Sequence, residues 1–233
     1  MDAETSRSTV SVVIPAHNGA QFVGEALDSV FAQTYRPIEV IVVDDGSEDD
    51  TVAVVEAYGP RVQLIRQAHS GPGGARNTGV AAAMGTYLAF LDADDLWPPG
   101  KLAAQTAVFE EHPDIDLVFG LVVQFEGETA ARAIQRDPPS AGALPALVAG
   151  GMLTRLETFR RVGPFSSEWR VGEFIDWYAR AREMGLTSRV IQQVVLCRRL
   201  HDANLGRQDG GSRVDFTRVL RATLERRRRE GLA

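Results

Sequence analysis

The sequence predicts an α/β protein built on an open, largely parallel sheet with helices on both faces. Three observations lead there. Short β-branched runs alternate with segments of helical periodicity through the first half of the chain. Polar motifs stand directly after three of those runs, where open α/β sheets bind ligands. No apolar run approaches membrane-spanning length, and Met1 to Thr9 lacks the apolar core of a signal peptide, so a soluble protein is expected.

Val10 to Ile14 reads as a buried first strand, and Phe22, Val23, Ala26, Leu27, Val30 and Phe31 then recur at helical spacing. Glu39 to Val43 is a second strand. It ends in Asp44-Asp45-Gly46-Ser47, where Ser47 is a candidate cap for a helix running to about Tyr58. Val62 to Ile65 is a third strand. Gly73 to Met84, rich in alanine and glycine, predicts a tightly packed helix. Tyr87 to Leu91 is a fourth strand that stops at Asp92. Pro98-Pro99 opens a helix to about Glu111, and Leu117 to Val123 is a fifth strand.

Periodicity fades between Glu126 and Gly150, where Asp137-Pro138-Pro139 and several glycines mark an insertion or loop. Order returns at Met152 to Val162. A helix over Phe174 to Met184 and a strand over Val190 to Leu196 follow. The expected organisation is one domain over residues 8–205, with a ligand-binding half at 8–125 and a second half at 126–205. A linker and charged helix occupy 206–233.

The 233 residues carry 25 basic and 31 acidic side chains, a net charge of −6, which argues against a nucleic-acid partner. A single cysteine, Cys197, excludes an internal disulfide and fits a reducing cytoplasm. The basic run Arg226 to Arg229 reads as a solvated helix end. The alternative is peripheral docking on the anionic inner face of a membrane.

Asp92-Ala93-Asp94-Asp95 carries the strongest chemical signal. Carboxylates crowded at a strand end repel one another, and a hard divalent cation relieves that repulsion while bridging to diphosphate oxygens. Magnesium or manganese suits such ligands better than zinc. On spacing alone, a helix cap at Asp92 or Asp95 is an equal reading. His17 by itself would be a surface histidine, Asp45 a turn residue before Gly46, and Arg76 a solvated helix residue.

Their joint occurrence changes those odds. The segments VSVVIPAHNGAQFVGEALDSVFAQTY, EVIVVDDGSEDDT, GGARNTGVAAAMGTYLAFLDADD and LWPPGKL resemble the family 2 glycosyltransferases of the GT-A fold, in order and in spacing, over about Val10 to Leu102. The resemblance continues more loosely to about Asn204. It implies an inverting transferase that uses a nucleotide-sugar donor, a UDP-sugar first, with thymine and guanine nucleotides open. The acceptor could be a sugar, lipid, peptide or natural product.

It also implies roles. Pro15, Ala16 and His17 would line the donor base, Asp45 with Asp44 would read its edge, and Arg76 would lie near base and phosphates. Asp92 and Ala93 would face sugar and ribose, and Asp94 would coordinate Mn2+ or Mg2+. The family places an acidic pair at the start of a late helix, where this chain reads Gly172-Glu173-Phe174-Ile175-Asp176-Trp177. Glu173 is then the first candidate for general base, with Asp176 one turn later. Arg199 and His201 resemble a late segment that reaches diphosphate or metal, although a loop closing the sheet explains them equally. Trp169 and Trp177 flank the expected acceptor side. Two rival functions are a sugar nucleotidyltransferase, disfavoured by a first loop without Lys or Arg, and a nucleotide-sugar-binding protein without turnover.

Overall fold

A computed structural model describes residues 8–126, 143–169, 171–202, 204 and 211–229. The strands are β1 (Val10–Ala16), β2 (Ile38–Asp44), β3 (Gln63–Arg66), β4 (Tyr87–Phe90), β5 (Leu117–Glu126), β6 (Leu144–Pro145), β7 (Leu153–Arg155) and β8 (Ser188–Leu200). The helices are α1 (Val23–Phe31), α2 (Thr51–Glu56), α3 (Gly71–Ala82), α4 (Lys101–Glu111), α5 (Leu156–Val162), α6 (Glu173–Glu183) and α7 (Gly211–Arg229). Most of the expected insertion, and the linker before α7, lie outside the described residues.

The sheet runs β3-β2-β1-β4-β7-β5-β6, with β8 also paired to β5. Pairs β1–β2, β2–β3, β1–β4 and β5–β8 are parallel. The sequence reading placed a fifth strand after the fourth and left Leu153–Arg155 unassigned. That three-residue strand enters antiparallel between β4 and β5. It is too short to show a period, so only its pairing reveals it.

Both faces of the central strands are buried, which explains their unbroken apolar runs. Val12, Ile14, Val40 and Val42 pack with α1, α2 and α4 through Leu27, Val55 and Leu102. Val13, Ile41, Val43 and Phe90 face α3, α5 and α6 through Ala75, Phe159 and Trp177. Helix α3 lies close on β1. A Cβ on Gly79 would come within 2.3 Å of the Val13 side chain, so only glycine permits this approach. Ser47 does not cap α2. Its hydroxyl accepts the Asn18 N–H at 2.9 Å, tying the first loop to the second.

Helix α7 is clamped to α6. Arg226 donates to Glu183 at 2.6 Å and to Asp176 at 3.1 Å, so the first arginine of the basic run is turned inward. Among the described residues no helix is long and apolar enough to cross a membrane.

Lys101 is fully buried on α4. Its Nζ donates to Gln105 at 2.8 Å and lies 4.0 Å from the Trp97 ring centroid. Burial pushes its ammonium well below the usual lysine range. The Trp97 face favours the cation by about 2 kcal/mol or somewhat more, against the several kcal/mol that a buried ammonium costs. A lysine neutral when folded and charged when unfolded makes stability rise with pH, because the unfolded chain holds the extra proton. From about pH 8 to about pH 10, urea denaturation should therefore show native stability climbing relative to Lys101→Met, by up to about 1.4 kcal/mol per pH unit. Parallel pH profiles for the two proteins would mean that Lys101 is charged in the fold.

Candidate active site

The loops beyond the carboxyl ends of β1, β2, β3 and β4 meet at one edge of the sheet. Asn18 adopts φ +50°, and its side chain accepts the Glu48 N–H at 2.8 Å. Gly19 donates to the Thr51 hydroxyl at 2.8 Å. Ala16 closes the strand end by accepting the Asp45 N–H at 2.8 Å, and Pro15 pairs in register with Val43. Asp45 is buried, and its carboxylate accepts the Ser70 and Gly71 N–H groups at 2.9 and 2.8 Å. An acid from the second loop thus caps α3, whose first turn holds no acid of its own. Gln67 adds a third bond at 2.7 Å. Asp44 is equally buried, and its Oδ1 has no hydrogen-bond partner.

Two exposed imidazoles sit above Asp45. His17 and His69 place their Nδ1 atoms 2.9 and 3.2 Å from the Asp45 carbonyl oxygen, and their ring centroids lie 4.3 Å apart. A carbonyl only accepts, so each ring donates from Nδ1 and keeps Nε2 as an acceptor; that of His17 lies 3.4 Å from the Asn18 amide nitrogen.

The acidic run after β4 divides three ways. Asp92 binds Arg76 at 2.5 Å, and the other terminal nitrogen of Arg76 binds Glu173 at the start of α6. Burial alone would lower the Arg76 pKa, but Asp92 and Glu173 outweigh it and push the value further up. Arg76 Nε is buried without a partner. Asp94 Oδ2 lies 2.9 Å from His201 Nε2 and accepts the Asn204 amide at 3.0 Å. Asp95 caps no helix. It accepts the Arg199 backbone N–H at 2.9 Å, and burial, then Asp94 and Asp92, raise its carboxyl well above the usual range. The Arg199 guanidinium donates to the Asp94 carbonyl at 3.0 Å and to Glu25 at 2.5 Å. It lies over the rings of Phe22 and Phe125 at 4.9 and 4.8 Å.

The family model described as Glycosyl transferase family 2 matches residues 11–171. The chain belongs to this family. An uncharacterized glycosyltransferase of Nostoc sp. is 33% identical over 179 residues, covering 70% of this chain and 56% of the relative. One from Rickettsia typhi is 37% identical over 118 residues, covering 51% of this chain and 37% of the relative. The chain therefore spans about half or less of these relatives' length. Among solved structures, S. aureus TarS 1-349 in complex with UDP-GlcNAc aligns with a TM-score of 0.74 at 21% identity, covering 92% of this chain and 65% of that one. The mannosyltransferase PcManGT from Pyrobaculum calidifontis, in complex with GDP-Man and Mn2+, aligns at 0.65 and 23% identity, covering 86% and 59%. The fold is GT-A.

In this family 2 chain, residues far apart in sequence come together: Arg76, Asp92 and Glu173 in one group, Asp94, His201 and Asn204 in another. Ala93 lies against Gly19, 3.6 Å from where a Cβ would stand. Asp176 is not in either group. Its two oxygens serve Arg180 at 3.0 Å and Arg226 at 3.1 Å, which makes it part of the α6–α7 clamp. Trp177 is also remote from solvent, stacked on Phe159 with centroids 4.9 Å apart. Phe174, where the resemblance implies an acid, packs in the core beside Tyr178, so from α6 it is Glu173 that reaches Arg76.

His69, Asn204 and Glu25 went unassigned in the sequence. The turn signal His69-Ser70-Gly71-Pro72 ahead of a helix could have flagged the first. Nothing local marks Glu25.

Among the described residues no group of three His, Cys, Asp or Glu is arranged to hold a metal. Asp94 and His201 form a two-residue set, partly open to solvent at 29% and 20% side-chain exposure. That set fits a hard six-coordinate cation whose remaining ligands are diphosphate oxygens and water, as Mg2+ and Mn2+ accept, rather than an ion that needs an all-protein cage.

Asp45→Ala would leave two N–H groups of α3 without partners. Its expected cost is about 2 kcal/mol by urea denaturation. A loss below about 0.5 kcal/mol would mean that water replaces the carboxylate without penalty.

Proposed function

We propose that this chain is a glycosyltransferase that moves a sugar from a nucleotide-diphosphate-sugar to an acceptor hydroxyl with inversion, assisted by a divalent metal. The observation that carries this reading is the Arg76 bridge, which sets Glu173 beside the carboxylate run that ends in the Asp94–His201 pair. Family membership and the donors named for TarS and PcManGT support a nucleotide-sugar, with a UDP-sugar first.

On this reading the donor base lies against the His17–His69 imidazoles, where flat rings offer stacking and Nε2 acceptors. Asp45 acts by holding those rings and the start of α3. Asp92 and Ala93 face the ribose and sugar. Asp94 and His201 would hold Mn2+ or Mg2+, which supplies positive charge against the departing diphosphate. Arg199 acts indirectly, fixing the Asp94 main chain.

Glu173 receives the proton of the acceptor hydroxyl. The acceptor oxygen bonds to the anomeric carbon as the bond from that carbon to the diphosphate breaks, and nucleoside diphosphate leaves. Arg76 holds one oxygen of Glu173, which orients the carboxylate for the proton. One displacement inverts the anomeric centre.

Product stereochemistry and two variants test this. Proton NMR of the first product formed from an α-linked donor should show the β anomer, and retention would overturn the single displacement. In the same assay Asp94→Ala should lose transfer by at least about 100-fold, and calorimetry should show Mn2+ binding weakened in the presence of UDP. Glu173→Gln should lower kcat by about 100- to 10,000-fold with donor affinity nearly unchanged. Near-native turnover in that variant would assign the base elsewhere.

A further inference from the structure

We propose that Trp169 is the stacking platform for the acceptor, and that the acceptor is therefore a saccharide; this rests on the transferase reading above. The chain has three tryptophans. Trp97 and Trp177 are fully buried, and each donates its indole N–H to a main-chain carbonyl, Gly150 at 3.1 Å and Gly163 at 2.9 Å. Trp169 differs from both. It is half-buried, belongs to neither large core cluster, and makes no hydrogen bond or ring contact with another described residue. Among the described residues, neither its ring face nor its N–H has a partner.

The backbone determines where that ring stands. Residues 163–172 join α5 to α6 and are held at both ends by consecutive residues of α3. Asn77 exchanges two 2.9 Å hydrogen bonds with the Phe165 main chain, and Arg76 binds the Glu173 carboxylate. The loop also rests on the N-terminal turn of α3, where the Ser166 carbonyl is 3.3 Å and the Glu173 side chain 3.4 Å from a Cβ placed on Gly73. With its two ends on adjacent residues, the segment must double back, and Trp169 stands midway along it. Trp169 is thus carried on a loop whose second anchor is Glu173 itself.

An indole face matches the C–H face of a pyranose, and its N–H can donate to a ring hydroxyl. A lipid chain would want a continuous apolar groove, and a peptide would want an open strand edge or charged pocket. Only the saccharide uses both features of this side chain.

The test offers the purified protein UDP-Glc, UDP-Gal, UDP-GlcNAc or GDP-Man with Mn2+. The acceptors are cellobiose, lactose, maltose and N-acetylchitobiose, beside a medium-chain alcohol and a serine-containing peptide, with products read by mass spectrometry. Transfer to at least one disaccharide is expected. Trp169→Ala should raise the KM for that disaccharide about tenfold. Donor KM and acceptor-free donor hydrolysis should stay unchanged, and Trp169→Phe should recover most of the affinity. Tryptophan emission gives a second reading. A disaccharide added with UDP and Mn2+ should shift it in the native protein and not in Trp169→Phe. The proposal is overturned by transfer confined to the alcohol or peptide, by an unchanged disaccharide KM in Trp169→Ala, or by neither transfer nor an emission shift with any disaccharide. Absence of both UDP binding and donor hydrolysis would instead sink the transferase reading itself.

Discussion

The candidate site depends on one buried cation. Arg76 is 4% exposed, and its two terminal nitrogens join Asp92, after β4, to Glu173, at the start of α6. Neither carboxylate is near the other in sequence. Removing the arginine would strip the buried Glu173 carboxylate of its cation and leave it near the partly exposed Asp92, a larger penalty than the pair's net worth. Arg76 stands where it does because α3 presses onto β1 at Gly79, and α3 begins where it does because Asp45 accepts its first N–H groups. The close helix–strand approach, the borrowed cap and the ion bridge are therefore one chain of dependence. A bulkier residue at position 79 would shift Arg76 and Glu173 without touching either.

The Asp94–His201 pair hangs on different supports. Leu96 and Cys197 exchange backbone hydrogen bonds at 3.0 and 2.8 Å, and Asp95 accepts from the next strand residue but one, Arg199. This short zipper ties the end of the acidic run to the far end of β8. It brings His201 and Asn204 onto Asp94. The raised carboxyl of Asp95 follows from the same geometry, since burial and two neighbouring aspartates surround it. Asp95 thus acts through position, while Asp94 stays partly exposed with Oδ2 held by His201 and Asn204.

Much of this was legible in the sequence, and the physical reason is plain. Central strands buried on both faces leave continuous apolar runs, so β1, β2 and β4 announce themselves, and the polar residues after them mark the carboxyl edge. Leu153–Arg155 could not be read, because three residues carry no period and their place is set by partners on both sides. The acid at 176 stood as second candidate behind Glu173 because both fall on the first turn of α6. Their separation arises from α7, more than forty residues later, whose Arg226 claims Asp176. Glu25 shows the same limit: its partner, Arg199, is 174 residues away.

The departure at Phe174 gains a physical meaning from these contacts. The phenylalanine stacks with Tyr178 and meets Phe119 edge-on, filling the space between α6 and β5. An acid there would need a partner that this apolar wall does not provide. With position 174 given to the core, the only acid that α6 can aim at Arg76 is Glu173. Gly172 permits that aim by adopting φ +98° just before the helix, a conformation that turns the chain sharply into its first residue. The left-handed glycine, the apolar neighbour and the buried arginine together leave Glu173 as the one carboxylate that α6 presents to Arg76.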